Sequence, residues 1–343
     1  MTDTVKIHLE SEFSLMYTVG IDLGGTNIVI GLCDEELNIV DKIKARTHAK
    51  RDGKAIVSDM ARLTEELILR NSLTLADVEY VGIATPGIVD ADRGIVVSAC
   101  NLPFCDFPLE EAFRELLPVE RVFIGNDANV AALAESLIGA AKGTSTSVTV
   151  TLGTGVGGGI ILGGRIFSGG LNSGGAELGH TVIRVGGRPC ACGRRGCVES
   201  YCSATALGAI TKERMEKLRR DGKDSLMFEI AEADGKVGAR TAFKAMKRGD
   251  AEGRKIVDAF IKNLAAALTD IVHIFQPEVI TVGGGVSNEG DALIIPLAEA
   301  VDREQYTRNN KVKTRIVRAK LGTDAGIVGA AGLGRQFVYQ PCC

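Results

Sequence analysis

The sequence predicts an α/β protein built as two similar lobes around a cleft, and three observations carry the prediction. An apolar, β-branched run at residues 17–22 enters a glycine-rich turn and returns as a second run at 28–32, which is a hairpin pattern. The pattern recurs about 130 residues later, with a run at 147–152, a turn from Gly153 to Gly159 and a return at 160–162. Strand-length runs also alternate with segments of helical spacing, as α/β folds require. No low-complexity linker separates the halves, so the chain is expected to cross between them near Gly125.

The elements follow in order. Residues 55–70 place Ile56, Met60, Leu63, Leu67 and Ile68 at helical spacing. Residues 80–84 read as a buried strand ended by the turn Thr85-Pro86-Gly87. A strand at 121–124 delivers Gly125-Asn126-Asp127, and the alanine-rich stretch 128–141 reads as a helix. Residues 256–275 form a long helix stopped by Pro277, with Val257, Phe260, Ile261, Leu264, Leu268 and Ile271 on one face. A strand at 279–282 runs into Gly283-Gly284-Gly285, and a closing helix spans 325–338. The expected division is a smaller lobe over 1–125, onto which the helix at about 325–343 packs back, and a larger one over 126–324.

Composition narrows the function classes. The 343 residues carry 40 Lys+Arg against 43 Asp+Glu, a net charge of −3, which argues against nucleic acid as a partner. Trp is absent and aromatics reach 5%, so base-stacking platforms are not expected either. No window of about 18 apolar residues is present, so no membrane span is expected. Residues 1–16 hold Asp3, Glu10 and Glu12 without an apolar stretch, and read as a short extension rather than a signal peptide. A cytoplasmic chain keeps its thiols reduced, and Cys33, Cys100, Cys105, Cys202, Cys342 and Cys343 are expected to be free.

Glycine and acid positions carry the chemistry. Turns in which Gly and Thr alternate bring bare N–H groups and a hydroxyl against an anion; tight hairpin geometry alone is the competing reading. Asp22, at the end of the first strand, is placed to hold Mg²⁺ beside such a cradle or to cap its own turn. Asp127, at a strand-to-helix junction, fits a general base and equally an N-cap for the helix beginning at Ala128. His180, Cys190, Cys192 and Cys197 supply one imidazole and three thiolates within eighteen residues, a tetrahedral set suited to a structural Zn²⁺. A metal on one nitrogen of His180 leaves the other to meet a ligand. With Glu177 and Glu199 beside it, this suits a polyhydroxylated substrate.

The segments Asp22-Leu23-Gly24-Gly25-Thr26-Asn27, Gly125–Asn129, Leu152–Gly159, Glu177-Leu178-Gly179-His180 and Cys190–Glu199, in this order, resemble the ROK family of sugar kinases and repressors, and most of all its ATP-dependent bacterial glucokinases. The resemblance implies a two-lobed actin-like, ribonuclease-H-like ATPase fold. It implies that Asp22, Gly24, Gly25, Thr26 and Asn27, with Gly153, Thr154 and Gly155, grip ATP phosphates, and that Gly283, Gly284 and Gly285 lie near the adenosine. It makes Asp127 the base on a sugar 6-hydroxyl, with Asn101, Asn126, Glu177, His180, Glu199 and the backbone at Gly87 around the other hydroxyls. Its intact cysteines fit ATP rather than polyphosphate as donor. The expected product is glucose 6-phosphate, with N-acetylmannosamine, fructose and allose as alternative acceptors and a non-catalytic sugar sensor as a remoter reading. The family also implies a homodimer or homotetramer. A repressor needs a DNA-binding domain before the first strand, for which a strand at Tyr17 leaves no room. The sequence departs from the pattern in about sixteen leading residues and the tail at 340–343, neither of which touches a motif.

Overall fold

The computed structural model describes residues 16–170 and 173–338. Residues 1–15 of the expected extension, and the tail with Cys342 and Cys343, lie outside the described residues. Three antiparallel strands open the fold, β1 (Tyr17–Leu23), β2 (Asn27–Cys33) and β3 (Ile39–Arg46). After helix α1 (Gly53–Arg70), β4 (Val78–Thr85) returns parallel to β1. A small antiparallel sheet follows, made of β5 (Ile88–Asp90), β6 (Ile95–Ser98) and β7 (Cys105–Phe107). Helix α2 (Leu109–Leu116) leads to β8 (Val122–Asn126), parallel to β4, and then to α3 (Asp127–Leu137).

The second half repeats this plan. Strands β9 (Ser147–Leu152), β10 (Val156–Leu162) and β11 (Arg165–Phe167) are antiparallel. Helices α4 (Glu199–Cys202), α5 (Ala204–Arg220), α6 (Leu226–Ala233), α7 (Ala239–Lys247) and α8 (Ala251–Phe275) precede β12 (Val279–Gly283), which is parallel to β9. Helix α9 (Asp291–Glu304), β13 (Arg315–Arg318) and α10 (Ala325–Ala331) complete it. The first sheet runs β3-β2-β1-β4-β8 and the second β11-β10-β9-β12-β13, with the same strand directions at each position. The duplication expected from the two glycine turns is therefore a duplication of topology.

Each sheet has its own core. Val19, Ile21 and Ile83 are fully buried in the first, Val148 and Ile280 in the second. Helices α3 and α10 pack on one another between the sheets. Glycines at 20 and 82 let the α10 backbone lie directly on β1 and β4, because a Cβ at either would overlap a carbonyl of α10. Buried Glu135 of α3 accepts from the N–H groups of Ala140 (2.7 Å), Lys320 (2.9 Å) and Leu321 (2.8 Å), so one carboxylate ties α3 to the segment entering α10. The same carboxylate helps end α3 at Leu137 rather than at the expected 141. The closing helix is also shorter than the sequence suggests: α10 stops at Ala331, and Gly332 and Gly334 separate it from one further turn, Arg335–Val338. Among the described residues, no helix is long and apolar enough to cross a membrane.

Candidate active site

The first glycine turn, residues 24–27, closes with Gly24 N–H donating to Asn27 O at 2.9 Å. Buried Thr47, just past β3, fastens it: its hydroxyl donates to Gly24 O (2.6 Å) and its N–H to Thr26 O (3.0 Å). Gly25 lies against Asn101, where an added Cβ would stand 3.2 Å from the asparagine's own. Asn101 comes from the loop between β6 and β7, so the small sheet carries a residue to the turn. Asn126 donates through Nδ2 to Gly87 O (3.0 Å), and its Oδ1 accepts from Ala128 N–H (3.0 Å) and Asn129 N–H (3.2 Å). The N-cap of α3 is therefore Asn126, and the cap reading of Asp127 is corrected. Asp127 is the first helical residue, with Oδ1 accepting from Ala128 N–H at 2.8 Å.

Asp22 feels the charge of Asp127. Burial and then the Asp127 charge push Asp22 up to about 6. Solvent reaches Asp127, yet the protein around it raises its pKa too, with the Ala128 N–H pulling the other way. α10 presses on the same spot, since a Cβ on Gly326 would collide with the Asp22 carboxylate.

The second turn, residues 153–155, is one residue shorter and closes with Gly153 N–H donating to Gly155 O at 3.0 Å. An added Cβ at Gly153 would meet nothing within 4 Å, which is room for a ligand. At Gly155 it would overlap a carboxylate oxygen of Glu199. The later glycines of this run serve packing. A Cβ at Gly157 would lie 3.3 Å from that of Ala128, and one at Gly159 would strike α3, so β10 receives the first turn of the helix that starts at Asp127. Gly284 takes a left-handed φ of 80° and lies against the backbone of Leu152, which joins the third glycine turn to the second. Beside it a cavity of about 200 Å³ is lined by Ala204, Ala239, Arg240, Gly285, Val286 and Glu289. Buried Glu289 pairs with Arg240 (3.3 Å), which also lines the cavity, and with Lys247 (2.6 Å), which does not. The sequence reading did not single out these three charges, which no motif spacing links.

The ligand atoms of His180, Cys190, Cys192 and Cys197 lie within 4.8 Å of one another. Cys192 and Cys197 sulfurs are 3.8 Å apart, the edge of a tetrahedron whose metal–sulfur bonds are about 2.3 Å. His180 brings Nδ1 to 3.7 Å from Cys190 Sγ, so Nε2 is the nitrogen not engaged in that contact. The donor set and the spacing both fit Zn²⁺. Glu177 sits ahead of the histidine at φ −74°, ψ 64°, with Leu178 N–H donating to Ala176 O (2.8 Å), an inverse γ-turn that leaves its side chain exposed.

A duplicated α/β fold with matching glycine turns and two neighbouring acids is an arrangement suited to phosphoryl transfer. Residues 18–336 match the profile of the ROK family. The glucokinase of Thermotoga maritima is 37% identical over 322 residues, 93% of this chain and 98% of that one. The N-acetylmannosamine kinase of Yersinia pestis is 29% identical, over 91% of this chain and 96% of its own length. A solved structure of a ROK family glucokinase from Streptomyces griseus in complex with glucose and AMPPNP superposes with a TM-score of 0.76 at 32% identity, covering 93% of this chain and 99% of that one. This chain belongs to the ROK family. It is a sugar kinase.

Proposed function

We propose that the chain transfers the terminal phosphoryl group of ATP to the 6-hydroxyl of glucose, with Asp127 as general base. The observation that carries this reading is the place of Asp127, open to solvent at the start of α3, beside Asp22 and next to the second turn through the Ala128–Gly157 approach. Its raised pKa brings it closer to neutral pH, where a base is more effective. As the sugar oxygen attacks, Asp127 accepts the hydroxyl proton. Asn126, held by Gly87 O, keeps one N–H for a neighbouring hydroxyl, and His180 Nε2, Glu177, Glu199 and Asn101 take others.

The open space at Gly153 and the N–H groups of residues 24–27 are assigned to the donor phosphates, and the cavity beside Gly285 to the adenosine. Asp22 would hold Mg²⁺, which when bound neutralises developing phosphate charge. Zn²⁺ at the His180–Cys197 cluster would have all four positions filled by protein and would act by fixing the loop. In this reading residues 16–125 with α10 form one lobe, and the described residues of 126–324 the other.

Similarity to the Thermotoga glucokinase and to the glucose complex supports glucose as acceptor. Similarity to the N-acetylmannosamine kinase supports that sugar as a second reading. Comparing kcat/KM for glucose, N-acetylmannosamine, fructose and allose with ATP as donor tests the choice. Glucose is expected to lead, and a higher value for any other sugar transfers the assignment to it.

A further inference from the structure

The second turn is gripped from outside its own hairpin. Ala204 N–H donates to Gly153 O at 2.8 Å, and Val156 N–H donates to Glu199 Oε2 at 3.0 Å. Both grips come from the short stretch that follows the last cysteine of the metal loop, Cys197, after two residues. The Glu199 carboxylate occupies the volume that Gly155 leaves by having no side chain. Its other oxygen, Oε1, lies 3.7 Å from Cys190 Sγ. A carboxylate accepting from a backbone N–H makes a charge-assisted bond, about twice as strong as a neutral one.

We infer that Glu199 is a positioning residue for the donor-phosphate turn, with Oε2 holding Val156 N–H in the space left by Gly155. The inference rests on the assignment of residues 153–155 to the donor phosphates. It divides the carboxylate between two tasks. Oε1 points to the cluster side, 3.7 Å from Cys190 Sγ, and would accept from a substrate hydroxyl while Oε2 stays on the turn. One side chain then links acceptor pocket, metal loop and donor site.

The test measures Kd for AMPPNP and for glucose separately by calorimetry, with metal content and thermal unfolding recorded for each protein. Glu199→Ala should weaken AMPPNP at least tenfold. Glu199→Gln keeps an oxygen for Val156 N–H and should stay within about threefold of wild type for AMPPNP while losing glucose affinity. Gly155→Ala displaces the carboxylate without altering any metal ligand and should match Glu199→Ala for AMPPNP. The double variant should be no worse than either single one, because both remove the same contact. Unchanged AMPPNP affinity in a folded, metal-loaded Glu199→Ala, equal losses in Gln and Ala variants, or additive losses in the double variant each overturn the inference. Should Glu199→Ala lose metal or fold, the Gly155→Ala and Gln results decide alone. A wild-type protein that binds no AMPPNP removes the donor-site assignment itself, and the inference with it.

Discussion

The two glycine turns occupy equivalent places in equivalent sheets, yet they are built for different work. The first follows Asp22, and Asp127 comes directly after β8 of the same sheet, as the first residue of α3; the second follows Thr151 at the matching position, and no acid stands there. The first is fastened by Thr47, a neutral hydroxyl just past β3 and 23 residues from Gly24. The second is fastened by Glu199, a charged group 43 residues away in sequence. One sheet carries the acids and a turn fastened from just past β3, while the turn of the other is fastened by Glu199, beside the His180–Cys197 cluster. The difference teaches that matching topology does not transmit chemical role: the side chains that grip each turn decide it.

Four experiments break or sharpen that contrast. Asp127→Asn should lower kcat by ~10²–10⁴ with glucose affinity kept, because the proton acceptor is lost and the pocket is not. Single-turnover rates beside binding constants check this, and near-normal turnover would leave the first sheet without its chemical role. Cys192→Ser should release the metal and weaken glucose by ~10–100-fold, with AMPPNP weakened as well through Glu199. Elemental analysis with both titrations reads the result; a metal-free protein that binds both ligands normally would make the loop irrelevant to either turn.

Asp22 gives a pH signature that the second turn lacks. Its pKa rises from 3.8 unfolded to about 6 folded, so the native state binds the extra proton between those values. Stability should fall as pH rises through that window, with the full penalty above pH 6, amounting to about 2–3 kcal/mol. Asp22→Asn should therefore be more stable than wild type at pH 7.5 and equal near pH 3.5, while losing phosphotransfer. Denaturant melts at both values suffice, and equal destabilisation at each would remove burial of a charged Asp22 carboxylate as the cause. Smallest is Gly153→Ala, which meets no protein atom. It should melt like wild type and weaken AMPPNP by ~3–10-fold through a methyl group in the phosphate space; unchanged affinity would place the phosphates elsewhere.

Patterns local in sequence were legible before the structure. Both hairpins, the strand delivering Asp127 and the His180–Cys197 cluster follow from runs and spacings. Strand β3 was not read, because it is half-buried at most and its outer face is mainly charged. What could not be read is tertiary. Nothing near Gly157 and Gly159 shows that they admit α3 rather than a phosphate, and nothing near Glu199 points to Val156. Asn101 depends on the small β5–β7 sheet, whose strands are too short to announce themselves. Asp127 looked like a helix cap because Asp and Asn are interchangeable there, and only the bonds from Ala128 and Asn129 to Asn126 separate them.

The packing of α10 on β1, β2 and β4 has a consequence for biosynthesis. The last strand of the first sheet, β8, ends at Asn126, and the helix that covers that sheet begins roughly 200 residues later. At ordinary elongation rates the ribosome takes roughly 10–40 s to deliver it. For that interval the glycine-lined face of β1 and β4 lacks α10, and neither Asp22 nor the first turn has its final surroundings. The first sheet is thus a nascent-chain liability that closes only when α10 emerges, and slow synthesis or early termination leaves an apolar sheet face open to chaperones and to aggregation.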